Sequence, residues 1–72
     1  MKKFDLYEAL VKEGFEEGTT SLGYDKLTKN IDGNIAEAVF DKDHNGLNFF
    51  VGNVAKRYCN SKRTYNLIMK MI

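Results

Sequence analysis

The sequence predicts an α+β fold: an N-terminal helix packed on a small three-stranded antiparallel meander, followed by a C-terminal helix or a fourth strand. Three observations predict it. Apolar residues near the start recur at helical spacing, two Gly-containing turn dipeptides divide the middle of the chain, and residues 47–58 are rich in aromatic and β-branched side chains.

The first element spans residues 4–15. Leu6, Tyr7, Leu10 and Val11 form one stripe of an amphipathic helix. Asp5 is placed to accept from the backbone at Glu8, with Glu8 reaching back, an Asp form of the capping box, and Phe4 before the cap is set to staple onto Ala9. Gly14 followed by Phe15 reads as a left-handed stop with an apolar contact back to Leu10. Residues 16–23 (EEGTTSLG) read as a loop. Asp32-Gly33 and Asn45-Gly46 then suit two-residue hairpin turns, whose central positions favour positive φ. They leave candidate strands at 24–31, 34–43 and 47–58. In the second of these, Ala36-Glu37-Ala38 would also accept a helix. Residues 61–72 carry two patterns. Thr64, Tyr65 and Ile68 suit a strand, whereas Ser61 as a cap with Tyr65, Ile68, Met69 and Ile72 at helical spacing favours a helix.

At 72 residues the expectation is a single small globular domain, 1–72, near the lower limit of size for folding alone. An apolar content of 43% with 29% charged residues is ordinary for a packed protein. The single Cys59 cannot form an internal disulfide, which fits a reducing compartment. Charged residues soon after Met1-Lys2-Lys3 interrupt any signal-peptide hydrophobic stretch, and Leu67-Ile68-Met69 is too short to span a bilayer. The expected setting is cytoplasmic, with no membrane partner.

Charge is strongly polarised along the chain. No acidic side chain follows Asp43, and the remaining residues hold Lys56, Arg57, Lys62, Arg63 and Lys70. The preceding part holds six lysines against ten carboxylates. Polarised charge of this kind governs which surfaces meet and in what orientation.

Few residues offer chemistry. His44 and Cys59 are the only base and nucleophile of their types, with Asp41 or Asp43 as orienter, and so small a chain has little mass from which to build a catalytic cleft. A turn histidine and a small, partly buried cysteine are the plainer assignments. One Cys and one His exclude the usual four-ligand zinc site, and no Gly-rich phosphate loop is present. Catalytic residues, cofactor and metal are all expected to be none.

Two resemblances bear on this. Asp41-Lys42-Asp43-His44-Asn45-Gly46 resembles the first half of an EF-hand loop, with oxygen ligands at positions 1, 3 and 5 and Gly at 6. It departs from that family at position 8, Asn48, and at position 12, where Gly52 stands in place of a bidentate Glu. An α-β-β-β-α order with Ser61-Lys62-Arg63 opening the last helix is similar to double-stranded-RNA-binding domains. It lacks their Gly-Pro-x-His hairpin and carries Thr64, Tyr65 and Ile68 where that family packs small residues.

Two functions remain. The first is a small non-enzymatic regulator, such as a phage-type inhibitor, acting by stoichiometric binding to a protein partner. The alternative is a nucleic-acid-binding module on the basic C-terminal face, where cations interleave with aromatics. The expected contact residues are Lys56, Arg57, Tyr58, Lys62, Arg63 and Tyr65, joined by Leu67 and Met71. Those last two lie on a second apolar flank of the C-terminal helix that also suits a homodimer. The five C-terminal cations clustered on one face away from the carboxylates would favour nucleic acid, and each paired with a carboxylate of the N-terminal half would favour protein.

Overall fold

The computed structural model describes residues 4–72, so the Met1-Lys2-Lys3 start lies outside the described residues. The chain runs α1 (Leu6–Lys12), β1 (Glu16–Thr19), β2 (Asp25–Ile31), β3 (Asn34–Phe40), β4 (Gly46–Val51), β5 (Val54–Cys59) and α2 (Lys62–Met71). The strands form one antiparallel sheet in the order β1-β2-β3-β4-β5. The fold is therefore α+β, with five strands rather than three and a helix at the C-terminus rather than a further strand. The five strands also break the α-β-β-β-α order on which the likeness to double-stranded-RNA-binding domains rested.

The helix ends follow local chemistry. Asp5 caps α1 by accepting from Glu8 N–H at 3.2 Å. Glu8 does not reach back to the cap; its carboxylate meets Lys12 one turn on, at 3.2 Å. At the other end Gly14 has φ +102°, Phe15 N–H donates to Leu10 O at 3.1 Å and Gly14 N–H to Val11 O at 3.0 Å. These two bonds make a Schellman stop, and the buried Phe15 brings its ring into the same cluster as Leu10. Lys29 Nζ donates to Glu13 O at 2.8 Å, placing a cation at the negative end of the helix. Phe4 meets Tyr65 of α2 edge-on, with ring centroids 5.9 Å apart.

Strand alternation gives the sheet one buried face. Leu27, Ala36, Ala38, Phe40, Leu47 and Phe49 are all fully buried on it, beneath Leu6 and Leu10 of α1 and Ile68 of α2. The register sets Ala38 between Leu27 and Phe49. Small side chains on the central strand let large ones on its neighbours and on the helices close over it. Ala36 and Ala38 thus serve a strand despite their helical preference, because packing overrides propensity.

Two expectations about turns change. The Asp32-Gly33 turn is present, with φ +50° and +90°. At Asn45-Gly46 there is no two-residue turn: residues 41–45 form the loop, and Gly46 opens β4. The span 47–58 is not one strand but two, folded at Gly52-Asn53, where Gly52 at φ +55° takes the first central position of a hairpin. Residues 16–19 pair with β2 instead of lying in a loop. Their Glu-Glu-Gly-Thr sequence has no apolar alternation because an outermost strand buries little.

Candidate functional site: the cleft between β5 and α2

β5 is the last strand of the sheet, so among the described residues only one of its edges is paired. Asn60 N–H donates to Asn45 O at 3.0 Å, which makes Asn45 and Asn60 a bonded pair in the β4–β5 register. Bonded and non-bonded pairs alternate along an antiparallel ladder. Tyr58, Lys56 and Val54 are therefore bonded to β4, and the N–H and C=O groups of Ala55, Arg57 and Cys59 face away from it. None of these groups takes another hydrogen bond among the described residues.

The chain turns at Asn60 and starts α2 beside this edge. Ser61 caps the helix, accepting from Thr64 N–H at 3.2 Å. An open cleft of about 510 Å³ results, with Lys56, Arg57, Tyr58 and Cys59 along the strand and Arg63, Thr64 and Leu67 on the helix. Leu67 is 39% exposed there and Thr64 is buried at its foot.

The cleft gathers five of the residues expected from sequence: Lys56, Arg57, Tyr58, Arg63 and Leu67. Three others lie elsewhere. Lys62 borders a neighbouring hollow with Phe4, Asn45, Asn60 and Ser61. Tyr65 turns towards α1, where its hydroxyl donates to Glu13; this contact and burial raise its pKa. Met71 packs partly buried against the core. Cys59 and Thr64 belong to the cleft and were not foreseen, since only the fold of β5 back along β4 sets them there.

Electrostatics divide the cations. Arg57 makes a two-pronged pair with Asp41, with Nη1–Oδ1 at 3.2 Å and Nη2 on Oδ2. The guanidinium holds the Asp41 carboxyl below the usual carboxylate range, chiefly through the hydrogen bond. Lys56, Lys62, Arg63 and Lys70 form no ion pair among the described residues. Lys56 Nζ instead lies over the Tyr58 ring, 5.7 Å from its centroid.

A second polar group gathers between α1 and the 41–45 loop. His44, at φ +61°, stacks on Tyr7 with centroids 4.9 Å apart and places Nε2 at 2.8 Å from Asp25 Oδ2. Tyr7 donates to Glu17 at 2.8 Å. The carboxylate that meets His44 is thus Asp25 rather than Asp41 or Asp43, and His44 is a packed residue rather than a free turn histidine. Cys59 faces the opposite side of the sheet from Tyr58 and makes no hydrogen bond with His44. In the half EF-hand segment, Asp43 accepts from both Asn45 N–H and Nδ2, and Asp41 is held by Arg57. No group of three or more metal-ligating side chains occurs among the described residues. No helix among them is long and apolar enough to cross a membrane.

Comparison with protein-family models, with curated proteins and with solved structures finds no match to this chain.

Proposed function

We propose that this is a small binding protein that acts without chemistry, engaging a protein partner stoichiometrically through the β5–α2 cleft and so modulating or inhibiting it. The observation that carries this is the composition of the cleft: a strand edge and a rim including Lys56 and Arg63 that are unpaired among the described residues, together with the exposed Leu67. Apolar contact at the centre supplies affinity, while peripheral charge steers encounter and selects the partner.

Nucleic acid is the second reading, favoured by the four cations that form no ion pair among the described residues. The aromatics argue against it. Tyr58 packs partly buried against the core with Lys56 over its ring, and Tyr65 is engaged by Phe4 and Glu13, which argues against either serving as a free platform for base stacking.

Affinity capture from lysate on the immobilised full chain, with and without nuclease, tests both. The expected result is a protein retained in both conditions and released by Leu67→Asp and by Arg63→Glu. Nuclease-sensitive retention, together with duplex or RNA binding at about 50 mM salt, would favour nucleic acid instead. Retention indifferent to both substitutions would remove the cleft from the proposal.

A further inference from the structure

We infer that the partner presents an extended acidic segment, which adds to β5 as a sixth strand. The inference deepens the function proposed above and rests on it. The free N–H and C=O groups of Ala55, Arg57 and Cys59 form a regular row, and the β4–β5 register runs without a bulge from Gly46–Cys59 to Val51–Val54. Such an edge is a template for another strand unless it is guarded. Here there is no proline in the chain, and among the described residues no segment is laid over the edge and the guards are Lys56 and Arg57.

Those guards choose the occupant. Side chains of an added strand alternate between the two faces of the sheet. On the helix-free face they come beside Arg57; on the other they enter the cleft towards Leu67, Lys56 and Arg63. Carboxylates entering the cleft meet Lys56 and Arg63, which form no ion pair among the described residues. Arg57 is already held by Asp41, so the small apolar side chains of the segment suit the helix-free face beside Ala55. A second copy joined through its own β5 is disfavoured, because an antiparallel pair centred on Arg57 sets like charges together. The opposite edge, β1, carries Glu16 and Glu17 and is complementary in sign. Glu17 already accepts from Tyr7, however, and head-to-tail pairing of this type does not close.

The test uses the full ¹⁵N-labelled chain and three probes: a short peptide alternating glutamate with valine, its lysine–valine counterpart, and a thymidine oligonucleotide. With the glutamate peptide, amide exchange at Ala55, Arg57 and Cys59 should slow by about tenfold or more at saturation, with shifts at Leu67. The lysine peptide should do nothing. Ala55→Pro should abolish the protection while keeping the fold, since its lost N–H is one that faces outward. If that variant fails to fold, the comparison of peptides on the wild-type chain still decides. The inference is overturned if the glutamate peptide gives no edge protection, if the lysine peptide protects equally, or if the oligonucleotide alone protects. It also falls if protection of both β1 and β5 appears with rising protein concentration and no peptide, which would make the occupant a second copy. Leu67-dependent capture with an unprotected edge would sink strand addition and leave the cleft reading standing. Loss of Leu67-dependent capture would sink that reading itself.

Discussion

Asn60 Oδ1 accepts a 2.9 Å hydrogen bond from Leu6 N–H, joining the entry of α2 to the first turn of α1. The same side chain donates through Nδ2 to His44 O at 2.7 Å. One amide thus ties both helices to the 41–45 loop. The Leu6 donor is one of those that every helix start leaves without an internal partner.

Removing this tie should be costly. Asn60→Ala leaves a buried-side N–H and a carbonyl without partners, an effect of about 1–3 kcal/mol. A core of this size supplies only roughly 3–5 kcal/mol in total. Thermal melting should therefore fall sharply, and an unchanged midpoint would show that water replaces the amide without loss.

Gly46→Ala should break the Arg57–Asp41 pair and spare the fold. A Cβ at Gly46 would lie 2.8 Å from Arg57 Nη2 and 3.0 Å from Asp41 Oδ2, and both are ends of side chains that can swing aside. The folded-state pKa of Asp41 is depressed, so the pair's contribution is present above the unfolded value of 3.8 and is lost as pH falls through the folded value. Carboxyl NMR titration should place the Asp41 midpoint below 3.8 in the wild type and raise it in both Gly46→Ala and Arg57→Gln. An unmoved midpoint in Gly46→Ala would mean that the pair re-forms around the methyl group.

Tyr7 supplies an alkaline limb to stability. Its pKa is pushed up to about 12, first by burial, then by the bond it donates to Glu17, and then by the charges of Glu17 and Asp25. The fold favours the neutral phenol. That stabilisation is full below the unfolded value of 10.0 and is lost as pH rises through about 12. Tyr7→Phe should flatten stability between these limits and remove a late-ionising phenol from the ultraviolet titration. Identical alkaline limbs in the two proteins would refute the assignment.

Calcium should leave the 41–46 segment undisturbed. Its two carboxylates are occupied by Arg57 and Asn45, and Gly52 lies at the far end of β4, where it offers no carboxylate. NMR titration should show no saturable shifts at Asp41, Asp43 or Asn45 below millimolar calcium. Such shifts would restore the EF-hand resemblance.

What could be read in advance depended on whether the signal was local. The Asp5 cap, the Gly14-Phe15 stop, the Asp32-Gly33 turn and the Ser61 cap each act over a few residues, and each holds in the structure. β1 was hidden because an edge strand of Glu-Glu-Gly-Thr shows no apolar alternation. Gly46 misled because it is glycine for space under Arg57 and Asp41, not for a left-handed turn. The cations of the cleft were visible as composition, but their meeting with Leu67 depends on the Gly52-Asn53 turn, which sends β5 back along β4 to an edge beside α2.

The end of the chain separates core from contact surface. Ile68 is fully buried, with Tyr65, Met69, Met71 and Ile72 packed partly against the same cluster, whereas Leu67 is exposed in the cleft. Truncation after Asn66 removes Ile68 and should unfold the protein. Ile68→Ala alone should cost about 2–5 kcal/mol, the range for emptying a buried aliphatic site. Leu67→Asp should instead keep the wild-type melting midpoint, because its carboxylate remains in solvent beside Arg63. Circular dichroism melts of the three variants distinguish the roles. A folded truncation product would mean that α2 is dispensable to the core. A collapsed Leu67→Asp would make Leu67 structural, and its substitution could then no longer report on binding.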